Sequence, residues 1–169
     1  ATDIDVLLGD AFPRLKTISF RSCDIGTAGI RSLADSPFMA KIEPAALISN
    51  ELDDEAIEIM AASSYISDIG ELNLAENHIT AKGLKSIVEG GFTTLERLFL
   101  DGNKITSKGV KLLSKYEQLK ELSICRCGIS TTPVQKAFDE KSWPNMERFS
   151  HSGPLDRDLR NAIRARGID

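Results

Sequence analysis

The chain has 169 residues, 41% apolar and 27% charged, with a formal net charge of −4. That acidic balance argues against nucleic acid as the default partner. No stretch approaches the roughly eighteen apolar residues of a membrane span, and the N-terminus lacks the basic and apolar regions of a secretory leader.

Residues 2–12 (TDIDVLLGDAF) carry Ile4, Leu7, Leu8 and Phe12 at helical spacing, which predicts a short helix covering the open apolar edge of residues 15–33. Those residues read LKTISFRSCDIGTAGIRSL, with Leu15, Ile18, Phe20, Cys23, Ile25, Gly29 and Leu33 at positions that then recur. A degenerate copy, IEPAALISNELDDEAIEIM, supplies Ile42, Ala45, Leu47, Asn50, Leu52, Ala56 and Met60, with Pro44 at its strand start.

The clearest pair is IGELNLAENHITAKGLKSI and LERLFLDGNKITSKGVKLL. In these, Leu72 and Leu74 match Leu98 and Leu100, Asn77 matches Asn103, Ile79 matches Ile105, and Gly83 matches Gly109. A fifth copy, LKELSICRCGISTTPVQKA, uses Leu119, Leu122, Ile124, Cys127, Ile129 and Ala137, with Pro133 in the glycine position as the expected helix start. A sixth half-copy keeps Met146 and Phe149, and residues 154–166 predict an amphipathic C-terminal helix with Leu155, Leu159 and Ile163 on one side.

Within each copy the period changes. Alternating residues such as Leu72 and Leu74 read as a strand with one buried face, and Ile79, Leu84 and Ile87 then move towards helical spacing. Such a strand–turn–helix unit cannot bury its apolar side alone, so neighbours must stack. The first apolar positions, Leu15, Ile42, Ile69, Leu95, Leu119 and Met146, fall 24 to 27 residues apart.

With its Asn or Cys at the turn, its Asn-x-Ile-Thr segments (Asn77–Thr80, Asn103–Thr106) and its glycine before a full helix, the chain resembles leucine-rich repeat proteins of the ribonuclease-inhibitor-like subtype. The resemblance implies one α/β solenoid over 1–169, with parallel strands on the concave face and helices on the convex face. Its expected parts are an N-terminal cap or partial repeat at 1–14, five repeats and a half over 15–153, and a capping helix at 154–169. It also implies that Asn50, Asn77 and Asn103 turn inward to bond adjacent loops, with Cys23 and Cys127 filling the same slot as small thiols. Similar repeats occur in cytosolic nucleotide-binding receptors, tropomodulin-like actin regulators, ubiquitin-ligase adaptors and bacterial effectors.

Function would then sit on the outward strand positions, which include Ala46, Ile48 and Cys125. Phe99, between inward Leu98 and Leu100, is expected to face solvent as an interface anchor. With Asn73, Arg97, Asp101, Glu121, Ser123 and Arg126 it makes the candidate partner-binding surface. Charge is lopsided, −9 through Glu76 and +5 beyond it, with lysines concentrated on the later helices. That pattern suits either solvated helix faces or electrostatic steering of a partner.

Chemistry finds little support. Three cysteines, Cys23, Cys125 and Cys127, are an odd and sparse set, which excludes a disulfide framework and suits a reducing, cytoplasmic setting. Cys125-Arg126-Cys127 has no metal-knuckle or redox spacing, and strand alternation sends the two sulfurs apart. His78 and His151 lie in different repeats, Gly90-Gly91 lacks the lysine of a phosphate loop, and Asp53-Asp54 reads as a surface run. The expectation is a non-catalytic module with no metal and no cofactor that binds a protein partner. The alternative is the recognition segment of a larger enzyme, ligase adaptor or effector, as a trimmed chain starting at Ala1 rather than Met would suit. Partner identity and oligomeric state are not encoded in any motif.

Overall fold

The computed structural model describes residues 12–153 and 157–168. The helix predicted over 2–12 lies outside them apart from Phe12, as do Pro154 and Leu155 of the C-terminal helix. Six strands alternate with helices: β1 (Ile18–Arg21), α1 (Gly26–Ala34), β2 (Ala45–Ile48), α2 (Asp54–Ala62), β3 (Glu71–Asn73), α3 (Ala81–Glu89), β4 (Arg97–Phe99), α4 (Thr106–Leu113), β5 (Glu121–Ser123), α5 (Thr131–Asp139), β6 (Arg148–Ser150) and α6 (Arg157–Ala165). A 3₁₀ turn, Pro37–Lys41, joins α1 to β2.

The strands form one parallel sheet in sequence order, so each strand pairs only with the strands next to it in the chain. Register is constant: Leu72 pairs with Leu98 and Leu98 with Leu122. These residues, with Leu74, Leu100 and Ile124, are fully buried in a single core that runs the length of the described chain. Helices close the other side of that core through Ile30, Ile57, Leu84, Val110 and Val134.

Gly83 and Gly109 lie at equivalent helix positions because no side chain fits there. A Cβ on Gly83 would meet Asp54 Oδ1 at 2.6 Å, and one on Gly109 would meet Leu84 Cδ1 at 2.9 Å. Asp53 and Asp54, which read in the sequence as a surface run at a helix start, also cap helices. Asp53 caps its own helix by accepting from the Ala56 N–H at 3.0 Å. Asp54 reaches the next repeat, accepting from the N–H groups of Thr80 and Gly83 and from the Thr80 hydroxyl at 2.8, 2.9 and 2.7 Å. The fifth helix also departs from expectation, beginning at Thr131, two residues before Pro133.

Beyond each strand the chain turns sharply. Ser22, Ser49, Glu76, Gly102 and Arg126, the residues preceding each Asn or Cys, all have positive φ, between 52° and 72°. Only Gly102 announces this conformation in the sequence.

Candidate functional site

The Asn turns supply the frame. The Asn77 carbonyl oxygen accepts from the backbone N–H groups of Asn50 and Leu52, both at 3.0 Å. Its amide donates to the carbonyls of Leu47, Leu74 and Ala75 at 2.8 to 3.1 Å. Asn50 repeats this against Cys23 N–H and Phe20 O, and Asn103 against Ile79 N–H and Leu74 O. One side chain thus satisfies donors and acceptors of two loops, a match to its full hydrogen-bonding inventory.

The two cysteines of this slot differ. Cys127 is buried and its thiol donates to Leu100 O at 3.1 Å, reproducing half of the amide's role; burial pushes its pKa up to about 11. Cys23, expected inward, is exposed: it lies at the turn of the first strand, and its thiol reaches only Arg21 O of its own turn.

On the open sheet face the first outward row is an ionic ladder. Glu71, Arg97, Glu121 and Arg148 are successive cross-strand partners. Arg97 Nε meets Glu71 Oε2 at 2.7 Å, and Arg148 meets Glu121 Oε2 at 2.5 Å. The hydrogen bond to Glu71 raises the Arg97 pKa, partly opposed by burial and helped by Glu121 and Glu43. Opposite charges directly across strands stabilise a sheet, and here they hold Arg97 in place.

The second row, Ala46, Asn73, Phe99, Ser123 and Ser150, carries no charge. Phe99 is half-buried, flanked along its strand by fully buried Leu98 and Leu100. Ser123, expected outward and free, is buried, and its hydroxyl donates to Asp101 Oδ1 at 2.6 Å. The same oxygen accepts from Cys125 N–H at 2.6 Å, so Asp101 is pinned by its neighbour strand rather than free. Ile48, also expected outward, is buried as well, and Phe20, expected inward, is half-buried. Further along, Arg126 spans two repeats to reach Glu76 Oε1 at 3.0 Å, and Glu76 also accepts from the Ser49 hydroxyl at 2.8 Å. The two walls of charge leave a neutral strip between them with Phe99 on it. The repeat template sets Glu76 and Arg126 on one surface next to the strand ends, but their direct pairing, across 50 residues, comes only from the structure.

The remaining thiol and the two imidazoles each have defined neighbours. Burial and then Asp101 raise the Cys125 pKa, the reverse of what an activated thiolate needs. His151 is half-buried with both nitrogens bonded: Nε2 to Ile129 O and Nδ1 to Gly153 N–H, each at 3.1 Å. His78 pairs with Glu51 at 2.8 Å on the exposed side of its loop. Among the described residues no group of three or more His, Cys, Asp or Glu could hold a metal ion, and no helix is long and apolar enough to cross a membrane.

A family model described as leucine-rich repeat matches residues 14–34, 69–88 and 93–114, which include β1, β3 and β4 and the helices after them. The fold is a leucine-rich repeat solenoid. Its sheet is the concave face and its helices are the convex one. Two solved structures share it at a TM-score of 0.58: "Leiomodin-1 Actin-Binding Site 2 (ABS2)", 19% identical over 82% of this chain and 88% of that one, and the tropomodulin C-terminal domain of Caenorhabditis elegans, 17% identical over 85% and 93%. At such identities the likeness lies in the backbone path of the solenoid.

Proposed function

We propose that this solenoid is a non-catalytic protein-recognition module of the ribonuclease-inhibitor-like subtype, acting in the cytoplasm and binding a protein partner across its concave sheet. Phe99 is the anchor, with Asn73, Arg97, Asp101, Glu121 and Arg126 as its polar surround and Ser123 holding Asp101 from below. The observation that carries this reading is the neutral strip around a half-buried aromatic, bounded by Glu71–Arg97 and Glu121–Arg148 on one side and Glu76–Arg126 on the other. An aromatic amid well-ordered polar neighbours is the usual anatomy of an energetic anchor. Pre-paired charges bordering it limit the ordering cost of association.

Actin is the first partner to test, since the leiomodin-1 segment with this fold is an actin-binding site. Affinity of the purified chain for actin, and for proteins captured from its native source, is to be measured for wild type, Phe99→Ala and Arg97→Glu. Loss of the anchor is expected to cost at least about 2 kcal/mol. Unchanged affinity in a folded Phe99→Ala, Arg97→Glu double variant overturns the concave site. Failure with actin alone overturns only that choice of partner.

A further inference from the structure

We propose that the convex face of α4, together with the groove between α4 and α5, binds an acidic segment of a protein partner, at a site separate from the concave sheet. The first observation is the charge pattern of the helices: among the described residues, exposed cations without a carboxylate partner lie on α4 and its flanks and, as Arg160 and Arg164, on α6. On α1, α3 and α5 the exposed cations are answered: Arg31 by Glu55 at 3.1 Å, Lys82 by Glu58 at 3.0 Å, Lys85 by Glu89 at 3.7 Å and Lys136 by Glu140 at 3.6 Å. On α4 and its flanks Lys104, Lys108, Lys111 and Lys115 are all exposed, and none has a carboxylate partner among the described residues. Glu89 and Glu140 on the neighbouring helices cannot serve them, because both are already engaged.

The second observation is the groove of about 290 Å³ between α4 and α5. Where Gly109 lets α4 press against Leu84 of α3, α5 presents Pro133, and its ring keeps α5 from closing in the same way. Val110, Pro133 and Ala137 line the groove, with Ser107, Lys111, Ser114 and the Lys136–Glu140 pair along it, so Lys111 is its one unanswered lysine among the described residues. Lys108, Lys111 and Lys115 recur at helical spacing over about 10 Å, which matches carboxylates on successive turns of an acidic amphipathic segment whose apolar residue enters the groove. By contrast, the larger groove between α2 and α3, about 490 Å³, has its lysines balanced by Glu58 and Glu89.

Other occupants fit less well. A second copy of the chain offers few free carboxylates in its acidic stretch, since Glu55 and Glu58 are ion-paired, Glu51 is hydrogen-bonded to His78 and Asp54 caps α3. An anionic membrane would find no apolar residue to insert, as Phe12 is the one exposed large hydrophobic among the described residues.

The test is fluorescence anisotropy with a fluorescein-labelled peptide of repeated Glu-Glu-Leu-Glu units, about four helical turns long. Vesicles of phosphatidylcholine and phosphatidylserine, and a DNA duplex, are titrated in parallel. Wild type is expected to bind the peptide in preference to both. The triple variant Lys108→Glu, Lys111→Glu, Lys115→Glu should bind it at least about tenfold more weakly, with its circular dichroism unchanged. Replacing the same three by Arg, or Phe99 by Ala, should preserve binding. No binding by wild type, tighter binding to vesicles or DNA, or an equal loss in Arg160→Glu, Arg164→Glu on α6 would overturn the proposal.

Discussion

Asn77 makes five hydrogen bonds to backbone groups of two repeats while only 3% exposed. Truncating it leaves those donors and acceptors without water to replace the amide, and orphaned buried groups are costly where a lost surface bond is not. Asn77→Ala is therefore expected to lower stability by about 1–3 kcal/mol in denaturant unfolding. Asn73→Ala, which removes one bond to Ala75 N–H from a half-exposed side chain, should cost less. Equal melting of both variants would contradict the division between turn Asn and surface Asn. The inward Asn is legible in the motif, whereas the exposure of Cys23 depends on its place at the first turn of the stack. The burial of Ser123 depends on Asp101 of the adjacent strand, a contact that alternation along one strand cannot express.

Between elements, consecutive repeats are joined by side chains that serve the next repeat rather than their own. Asp54 stands in the first turn of α2 yet shares the capping of α3 with Thr80, accepting from the Thr80 and Gly83 N–H groups while the Thr80 hydroxyl accepts from Lys82 N–H. A carboxylate near a helix N-terminus also favours the helix dipole. Asp54→Ala should destabilise the chain by about 1–2 kcal/mol, whereas Glu55→Ala, at an exposed pair with Arg31, should stay within about 0.5 kcal/mol. Matching losses in the two would show that the cross-repeat cap carries no special weight. From the sequence the acidic run could be placed at a helix start, but the identity of the helix it caps depends on how closely Gly83 lets α3 approach.

Across the whole molecule the core is continuous, so damage at one end should be felt in overall stability. Trp143 closes the last part of that core: it is fully buried, its indole N–H donates to Leu113 O at 2.6 Å, and its ring lies 5.7 and 5.9 Å from those of Phe138 and Phe149. Trp143→Ala is expected to cost about 3–5 kcal/mol through the cavity left behind, read as a lower midpoint in urea by circular dichroism of the whole chain. A loss below about 1 kcal/mol would mean that the C-terminal end contributes little to the common core.

Periodicity alone determined the strand–turn–helix unit, its recurrence and most residues of the shared apolar wall. All three rest on local alternation and on the need of each unit to be covered by a like neighbour. Tertiary structure decided which charges meet. The Glu71–Arg97 and Glu121–Arg148 rungs, the Glu76–Arg126 bridge, the hold of Asp101 on Ser123 and the unanswered lysines of α4 all depend on distances between residues in different repeats. Repeat spacing ranks such positions, but only packing and side-chain reach set whether two of them touch.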